Sequence, residues 1–164
     1  MDQTDQVKTN IYNLYIKFIQ QKDQYEDSIN SVLQEELRQL IDPDISLNMT
    51  EIHVISCIGH HEPINVTSLA DRMELSKGNI SKITYKLLKR GWVRRTQLND
   101  NKKEIYFRLT SPGKKLFAIH EQLHRKEQLR LYGFLDGFSE SELVFIRRFF
   151  LDFIDLYETR ESEG

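Results

Sequence analysis

Between Ser76 and Arg90 the chain carries Lys77, Lys82, Lys86, Lys89 and Arg90 and no carboxylate. Ile80, Ile83, Leu87 and Leu88 recur at helical spacing, so a helix here buries one apolar stripe. A rotation of about 100° per residue puts Gly78, Ser81, Lys82, Tyr85 and Lys89 on the opposite face, with Lys77, Asn79 and Lys86 along its flanks. Lysines meet phosphates or guanine acceptors, Ser and Asn exchange hydrogen bonds with base edges, and Gly78 lets the backbone come close. Ser76 can accept from the free amides of the first turn and start the helix. A solvated helix face normally mixes both signs. This one does not, which favours duplex DNA as its partner.

The neighbouring segments can present such a helix. A shorter helix, Val66–Leu75, precedes it, and Gly91 is placed to stop it. Trp92–Leu98 and Glu104–Leu109 then read as strands, the second alternating Ile105, Phe107 and Leu109 with Tyr106 and Arg108. The tip between them, Asn99–Lys103, joins turn formers to Lys102 and Lys103, cations suited to a phosphate backbone or a narrow minor groove. Helix, basic helix and hairpin in that order make a winged helix-turn-helix. From Ser76 to Arg108 there are ten Lys or Arg against two acids, while the whole chain has a net charge of −2. The positive charge is therefore localised, as a directed contact with a polyanion requires.

Helices flank this module on both sides. Upstream, Val7, Ile11, Leu14, Tyr15, Phe18 and Ile19 form an amphipathic stripe that continues through Ile29, Leu33, Leu37 and Leu40 to Pro43. Asn48 with Glu51 forms a capping box for a helix through Ile52, Val54, Ile55 and Ile58 to Gly59, after which His60 and His61 read as a polar loop. Thr110, Ser111 and Pro112 open a helix to about Tyr132. Ser139 and Glu142 open a last one bearing Leu143, Ile146, Phe149, Phe150, Phe153, Ile154 and Tyr157. The terminal stripes exceed what a small winged domain can cover, which predicts a homodimer and a roughly palindromic operator. The expected fold is mainly α with a small β-hairpin wing. One domain, 1–164, would hold the DNA-binding module at 46–110, with dimerisation helices at 5–41 and 111–158.

Several function classes find no support. The single cysteine, Cys57, allows no intrachain disulfide and reads as a core residue beside Val54, Ile55 and Ile58 in a protein of a reducing compartment. The opening MDQTDQ lacks the basic and apolar regions of a leader, and no apolar run reaches membrane length, so a cytoplasmic protein without a membrane partner is expected. There is no Gly-rich phosphate loop, Gly-x-Ser-x-Gly or Cys-x-x-Cys, and no base at a recognisable spacing from Cys57, so no enzyme is predicted. His120 and His124, at i and i+4, share a helix face and can chelate one metal, or serve simply as surface or helix-pairing residues. His53 lies on the helix opened by Asn48, and Glu35 and Glu36 lie on the upstream helix.

From about Ile11 to Tyr157 the chain resembles the MarR family of bacterial transcriptional regulators. Leu47-Asn48-Met49-Thr50-Glu51 stands in place of the family's Leu-Thr-x-x-Gln, Ser68-Leu69-Ala70 in place of Glu-Leu-Ala, and Leu109-Thr110-x-x-Gly113 matches Leu-Thr-x-x-Gly. The wing departs from the family's Asp-x-Arg: Asn101 and Lys103 fall there, Asp100 and Lys102 offer a shifted version, and lysine lacks the planar fork of arginine. The resemblance implies a homodimer whose terminal helices pair and whose DNA affinity an effector controls. It extends to the zinc-responsive branch, because His53, His120 and His124 fall on that branch's histidine ligands and Glu35 is the candidate carboxylate. Ile52 and Ile119 stand where carboxylates of a second site would be needed. Zn²⁺ is thus the effector that the resemblance implies. A small organic ligand is the alternative, and a winged protein-interaction adaptor is a third reading, separated by a salt-dependent duplex-binding assay.

Overall fold

The computed structural model describes residues 2–41, 43–98 and 101–161, with the backbone alone for Leu40, Leu98, Asn101, Lys102, Lys103 and 159–161. In chain order the elements are α1 (Gln3–Leu40), α2 (Met49–His61), β1 (Ile64–Asn65), α3 (Val66–Met73), α4 (Lys77–Lys89), β2 (Val93–Leu98), β3 (Asn101–Leu109), α5 (Ser111–Leu135) and α6 (Glu140–Glu161). Contacts divide the chain into two compact units, 1–121 and 122–164, the division falling within the unbroken helix α5.

In the first unit the core is built around α2. Ile52, Val54, Ile55 and Ile58 are fully buried, with Leu33 and Leu37 of α1, Leu69 of α3, Ile80 and Leu87 of α4, and Leu116 of α5. Each such side chain removed from water contributes roughly 1.5–3 kcal/mol. α1 reaches this core only near its end, since Val7, Ile11, Leu14 and Phe18 all stay more than half exposed. The capping box at the start of α2 forms as expected, Glu51 N donating to Asn48 Oδ1 at 2.9 Å and Asn48 N to Glu51 Oε2 at 3.1 Å. α2 then runs through His60 and His61, which belong to its last turn rather than to a loop. There His61 Nδ1 lies 3.0 Å from the Cys57 carbonyl oxygen and His60 Nε2 lies 3.1 Å from Glu121 Oε1. Cys57 sits at the edge of the core, half-buried; burial pushes its thiol pKa up, with Arg72 pulling the other way. A thiol kept protonated is a poor nucleophile.

The sheet has three antiparallel strands in the order β1-β3-β2. The expected hairpin is present, with Val93 opposite Leu109 and Arg95 opposite Phe107. β3 begins at Asn101, so Lys102 and Lys103 lie in strand backbone and not in a long turn, while Asn99 and Asp100 of the expected tip lie outside the described residues. The two-residue β1 pairs Ile64 with Phe107 and Asn65 with Tyr106. Phe107 and Leu109 point into the core as their alternation predicts, but Ile105, which lies beyond the last residue that β1 pairs, is 41% exposed. Asn65 ties this sheet to the helices: its Oδ1 accepts from Ser68 N at 2.8 Å, capping α3, while its Nδ2 donates to Glu104 of β3.

Gly113 lies where α5 leaves the wing. A Cβ there would stand 2.1 Å from the Trp92 carbonyl oxygen, a backbone atom that also accepts from Thr110 N at 3.1 Å. Neither partner can retreat without opening the junction of β2 and β3. Gly113→Ala should therefore cost about 3 kcal/mol, the upper end of overpacking penalties. Thermal unfolding of the two proteins checks this, and a difference under about 0.5 kcal/mol, the ordinary surface value, would contradict the steric account.

In the second unit Ser139 caps α6, its amide donating to Glu142 Oε2 at 2.8 Å and its hydroxyl accepting from Glu142 N at 3.4 Å. The Ser139 hydroxyl also donates to Glu142 Oε2 at 2.6 Å, and this bond, with that from the Ser139 amide, holds the Glu142 carboxyl below its ordinary pKa. α6 shows more than the expected stripe, since Val144, Phe145, Leu151 and Leu156 are exposed as well as Phe149, Phe150, Ile154 and Tyr157. Phe149 stacks on Phe153 with ring centroids 5.4 Å apart, and Phe153 meets Tyr157 edge-on at 5.3 Å. No helix among the described residues is long and apolar enough to cross a membrane.

Candidate nucleic-acid interface and histidine cluster

α4 is set up by its own ends. α3 stops at Glu74, whose φ of 53° is left-handed, and the chain turns through Leu75 into Ser76. The Ser76 hydroxyl accepts from Asn79 N at 3.2 Å, as its capping role requires. Ile80 and Leu87 bury completely, and Ile83 and Leu88 are half-buried. Between them Thr84 is buried too, with its hydroxyl 2.8 Å from the Ile80 carbonyl and 3.2 Å from that of Ser81. A threonine satisfied within its own helix packs like an apolar residue, so the inward stripe is wider than an aliphatic count gives. Ser76, Lys77, Gly78, Asn79, Ser81, Lys82, Tyr85, Lys86 and Lys89 are all exposed. Lys89 Nζ stands 5.7 Å from the Tyr85 ring centroid, a cation–π contact that orders both on one face.

Two of the cations counted in the basic footprint meet partners inside the protein. Lys86 pairs with Glu51, whose side chain is 4% exposed, and Arg90 Nη1 donates to the Ser46 carbonyl oxygen. Conversely, the hairpin supplies a pair that the spacing of the sequence does not show. Arg94 and Arg108 stand directly opposite each other across β2 and β3. Opposed residues of an antiparallel ladder point to the same side with Cβ atoms about 5 Å apart. Two guanidinium groups so placed repel one another and offer a joint site to an anion. Only the register reveals this pair, because fourteen positions separate the two residues in sequence.

The histidines come together in part as expected. His53 and His120 meet edge-on with ring centroids 5.5 Å apart, and His124 follows one turn after His120 on the same uninterrupted α5. One ligand nitrogen from each of His53, His120 and His124 lies within 4.8 Å of the other two. His120 is buried, while His53 and His124 are exposed. Glu35 is not with them. Its exposed carboxylate accepts from Gln39 Nε2 at 2.8 Å and lies 3.7 Å from Arg38 Nη1, both neighbours on its own helix. Local partners at i+3 and i+4 hold it there, which the spacing of ligand types could not reveal. Another carboxylate comes closer: Glu121 Oε1 lies 3.9 Å from His120 Nδ1 and accepts from Ser56 Oγ at 3.1 Å. Three imidazoles suit a borderline-soft divalent ion such as Zn²⁺, and a carboxylate beside one of them is a common outer support of such sites.

The sequence model of the MarR family matches residues 47–105, the stretch from the cap of α2 to the middle of β3. An HTH-type transcriptional regulator of Bacillus subtilis strain 168, YhjH, is 45% identical over 169 residues, covering 98% of this chain and 95% of its own. Among solved structures, Streptococcus pneumoniae FabT in complex with DNA superposes with a TM-score of 0.58 at 23% identity, over 89% of this chain and 99% of that one. The zinc-responsive MarR family member ZitR of Lactococcus lactis gives a TM-score of 0.62 at 16% identity, over 83% and 98% respectively. At such identities these two likenesses speak for the fold, and they extend it beyond the winged module to the flanking helices. The relative, the family match and the winged helix-turn-helix just described agree, and the chain belongs to the MarR family of DNA-binding transcriptional regulators.

Proposed function

We propose that this regulator works as a homodimer, in the cytoplasm, on a roughly palindromic operator. Each protomer lays α4 in a major groove, with Ser76, Lys77, Gly78, Asn79, Ser81, Lys82, Tyr85 and Lys89 toward the DNA. The wing approaches the flanking backbone through Arg94 and Arg108, with Lys102 and Lys103 added from their charge and place in the sequence. The observation that carries this reading is the exposed face of α4, which has no carboxylate between Ser76 and Arg90. The exposed apolar residues of α1 and α6 support the dimer, since a protomer alone would leave them in water.

The effector proposed is Zn²⁺, held by His53, His120 and His124. The proximity of their three ligand nitrogens supports it, and Glu35 would join only by leaving Gln39 and Arg38. A bound ion would cross-link the imidazoles and so fix α2 against α5. Glu121, anchored by Ser56 and His60, would orient the His120 ring. Since α2 packs on α4 and α5 leaves the wing at Gly113, both DNA-contacting elements feel that link.

The test measures duplex binding with and without Zn²⁺, on protein purified without chelator or affinity tag. Zn²⁺ should change operator affinity by roughly 5–150-fold, the usual range of allosteric coupling. Operator DNA must change the affinity for Zn²⁺ by the same factor. Protons compete for imidazole nitrogens, so the response should weaken on acidification. His120→Ala with His124→Ala should remove it. A double variant that responds like the parent would refute the site and favour a small organic ligand; absence of duplex binding under all conditions would favour the protein-interaction adaptor.

A further inference from the structure

The segment joining α1 to α2 is held from both sides by side chains of the first unit. From α1, Gln34 Nε2 donates to the Leu47 carbonyl oxygen at 2.5 Å. From α4, Arg90 Nη1 donates to the carbonyl oxygen of Ser46, the adjacent residue. Next along the chain, Asn48 N donates to Glu51 Oε2 at 3.1 Å while Lys86, one turn before Arg90, pairs with Glu51 Oε1. Ile45 and Leu47 are buried beneath these bonds, which leaves the segment little freedom to shift. Glu51 is decisive: its carboxylate is 4% exposed, and a buried carboxylate retains its charge cheaply only when both oxygens have partners. Its second partner comes from the DNA-facing helix.

We infer that residues 46–51 form a polar strap that sets the position of α4 against α1, and that Lys86 and Arg90 are positioning residues acting through Glu51 and Ser46 rather than contacts to DNA. This rests on the reading of α4 as the DNA-facing helix. Lys86 and Arg90 end the helix on its flank, so pulling on the strap turns the exposed face that Lys82 and Tyr85 share. A change at α1, where Gln34 is anchored, thereby reaches the DNA surface through two hydrogen-bonded steps.

The two roles of Lys86 predict opposite signs for one substitution. If Lys86 contacts phosphate, Glu51→Gln frees it and removes a negative charge, so DNA binding tightens. If the strap positions α4, Glu51→Gln releases the helix and binding weakens. The probe is a duplex selected by the parent protein from a random-sequence pool, bound by the full-length chain across a salt series. We expect Glu51→Gln and Lys86→Met each to weaken binding about tenfold, within the range carried by polar coupling networks, with the double variant no weaker than the poorer single one. The slope of log affinity against log salt should stay that of the parent in all three, since no phosphate contact is lost. Gln34→Leu, outside the DNA face and away from the buried carboxylate, should also weaken binding at unchanged slope; it serves if Glu51→Gln fails to fold. A tighter Glu51→Gln complex, or a slope lowered by about one unit or more in Lys86→Met, overturns the strap. Unaltered affinity in Glu51→Gln and Lys86→Met overturns the strap as well; Lys82→Glu is the control, and if it leaves affinity and slope unaltered, the DNA-facing assignment of α4 has failed, and the strap with it.

Discussion

Phe150→Asp should convert the protein to a folded monomer and lower its operator affinity by at least about a hundredfold, the loss expected when two linked binding heads become independent. Phe150 is 53% exposed in the protomer and lies 5.7 Å, ring to ring, from Phe149. An aspartate there meets water in the single chain and costs little. In an apolar seam between two copies the same charge would lose its hydration without gaining a partner, at several kcal/mol. Association should therefore fail before folding does. Sedimentation velocity and circular dichroism separate the outcomes: a monomer with the parent's helicity is expected. A parent chain that already sediments as a monomer at micromolar concentration would refute the dimer.

Lys82→Glu should nearly abolish binding to every duplex, specific or not. Lys82 is exposed at the centre of the face of α4, with Ser81 beside it, Tyr85 on the following turn and Lys89 on the turn after that. Reversal of its charge removes one contact and adds repulsion in each protomer. At about 1–3 kcal/mol per contact and two contacts in a dimer, affinity at low salt should fall roughly a thousandfold. The salt slope should fall by about two units, one per head. Fluorescence anisotropy over a salt series checks both. A variant that binds like its parent would remove α4 from the interface.

The parts of this molecule legible in the sequence are those decided locally. Asn48, Ser76 and Ser139 each accept from an amide three residues on, an arrangement written in four consecutive residues, and all three caps form. The aliphatic stripe of α4 and the inward Phe107 and Leu109 follow from period alone. What escaped depends on partners far along the chain. β1 is two residues long and exists because Ile64 and Asn65 find Phe107 and Tyr106. Lys86 looks like its neighbours until Glu51, thirty-five positions earlier, turns out to be buried against it. In the histidine cluster, the i, i+4 spacing paired His120 with His124 and the family resemblance added His53, which the structure places beside them, whereas Glu35, added on the same ground, was diverted by its own helix neighbours. The glycine of Leu109-Thr110-x-x-Gly113 gains a reason only from the carbonyl oxygen of Trp92, twenty-one residues before it.

Arg94 opposite Arg108 has a bearing on the free protein as well as on the complex. Like charges facing each other across a ladder weaken it by roughly 0.2–1 kcal/mol, and the burden is greatest in dilute buffer, where little screening intervenes. Added salt relieves that repulsion and strengthens the hairpin. The same salt competes with the protein for phosphates and weakens the complex. In the proposed complex, ionic strength thus acts with opposite signs on the wing's own cohesion and on its grip: the hairpin is least at ease where it is most ready to take an anion.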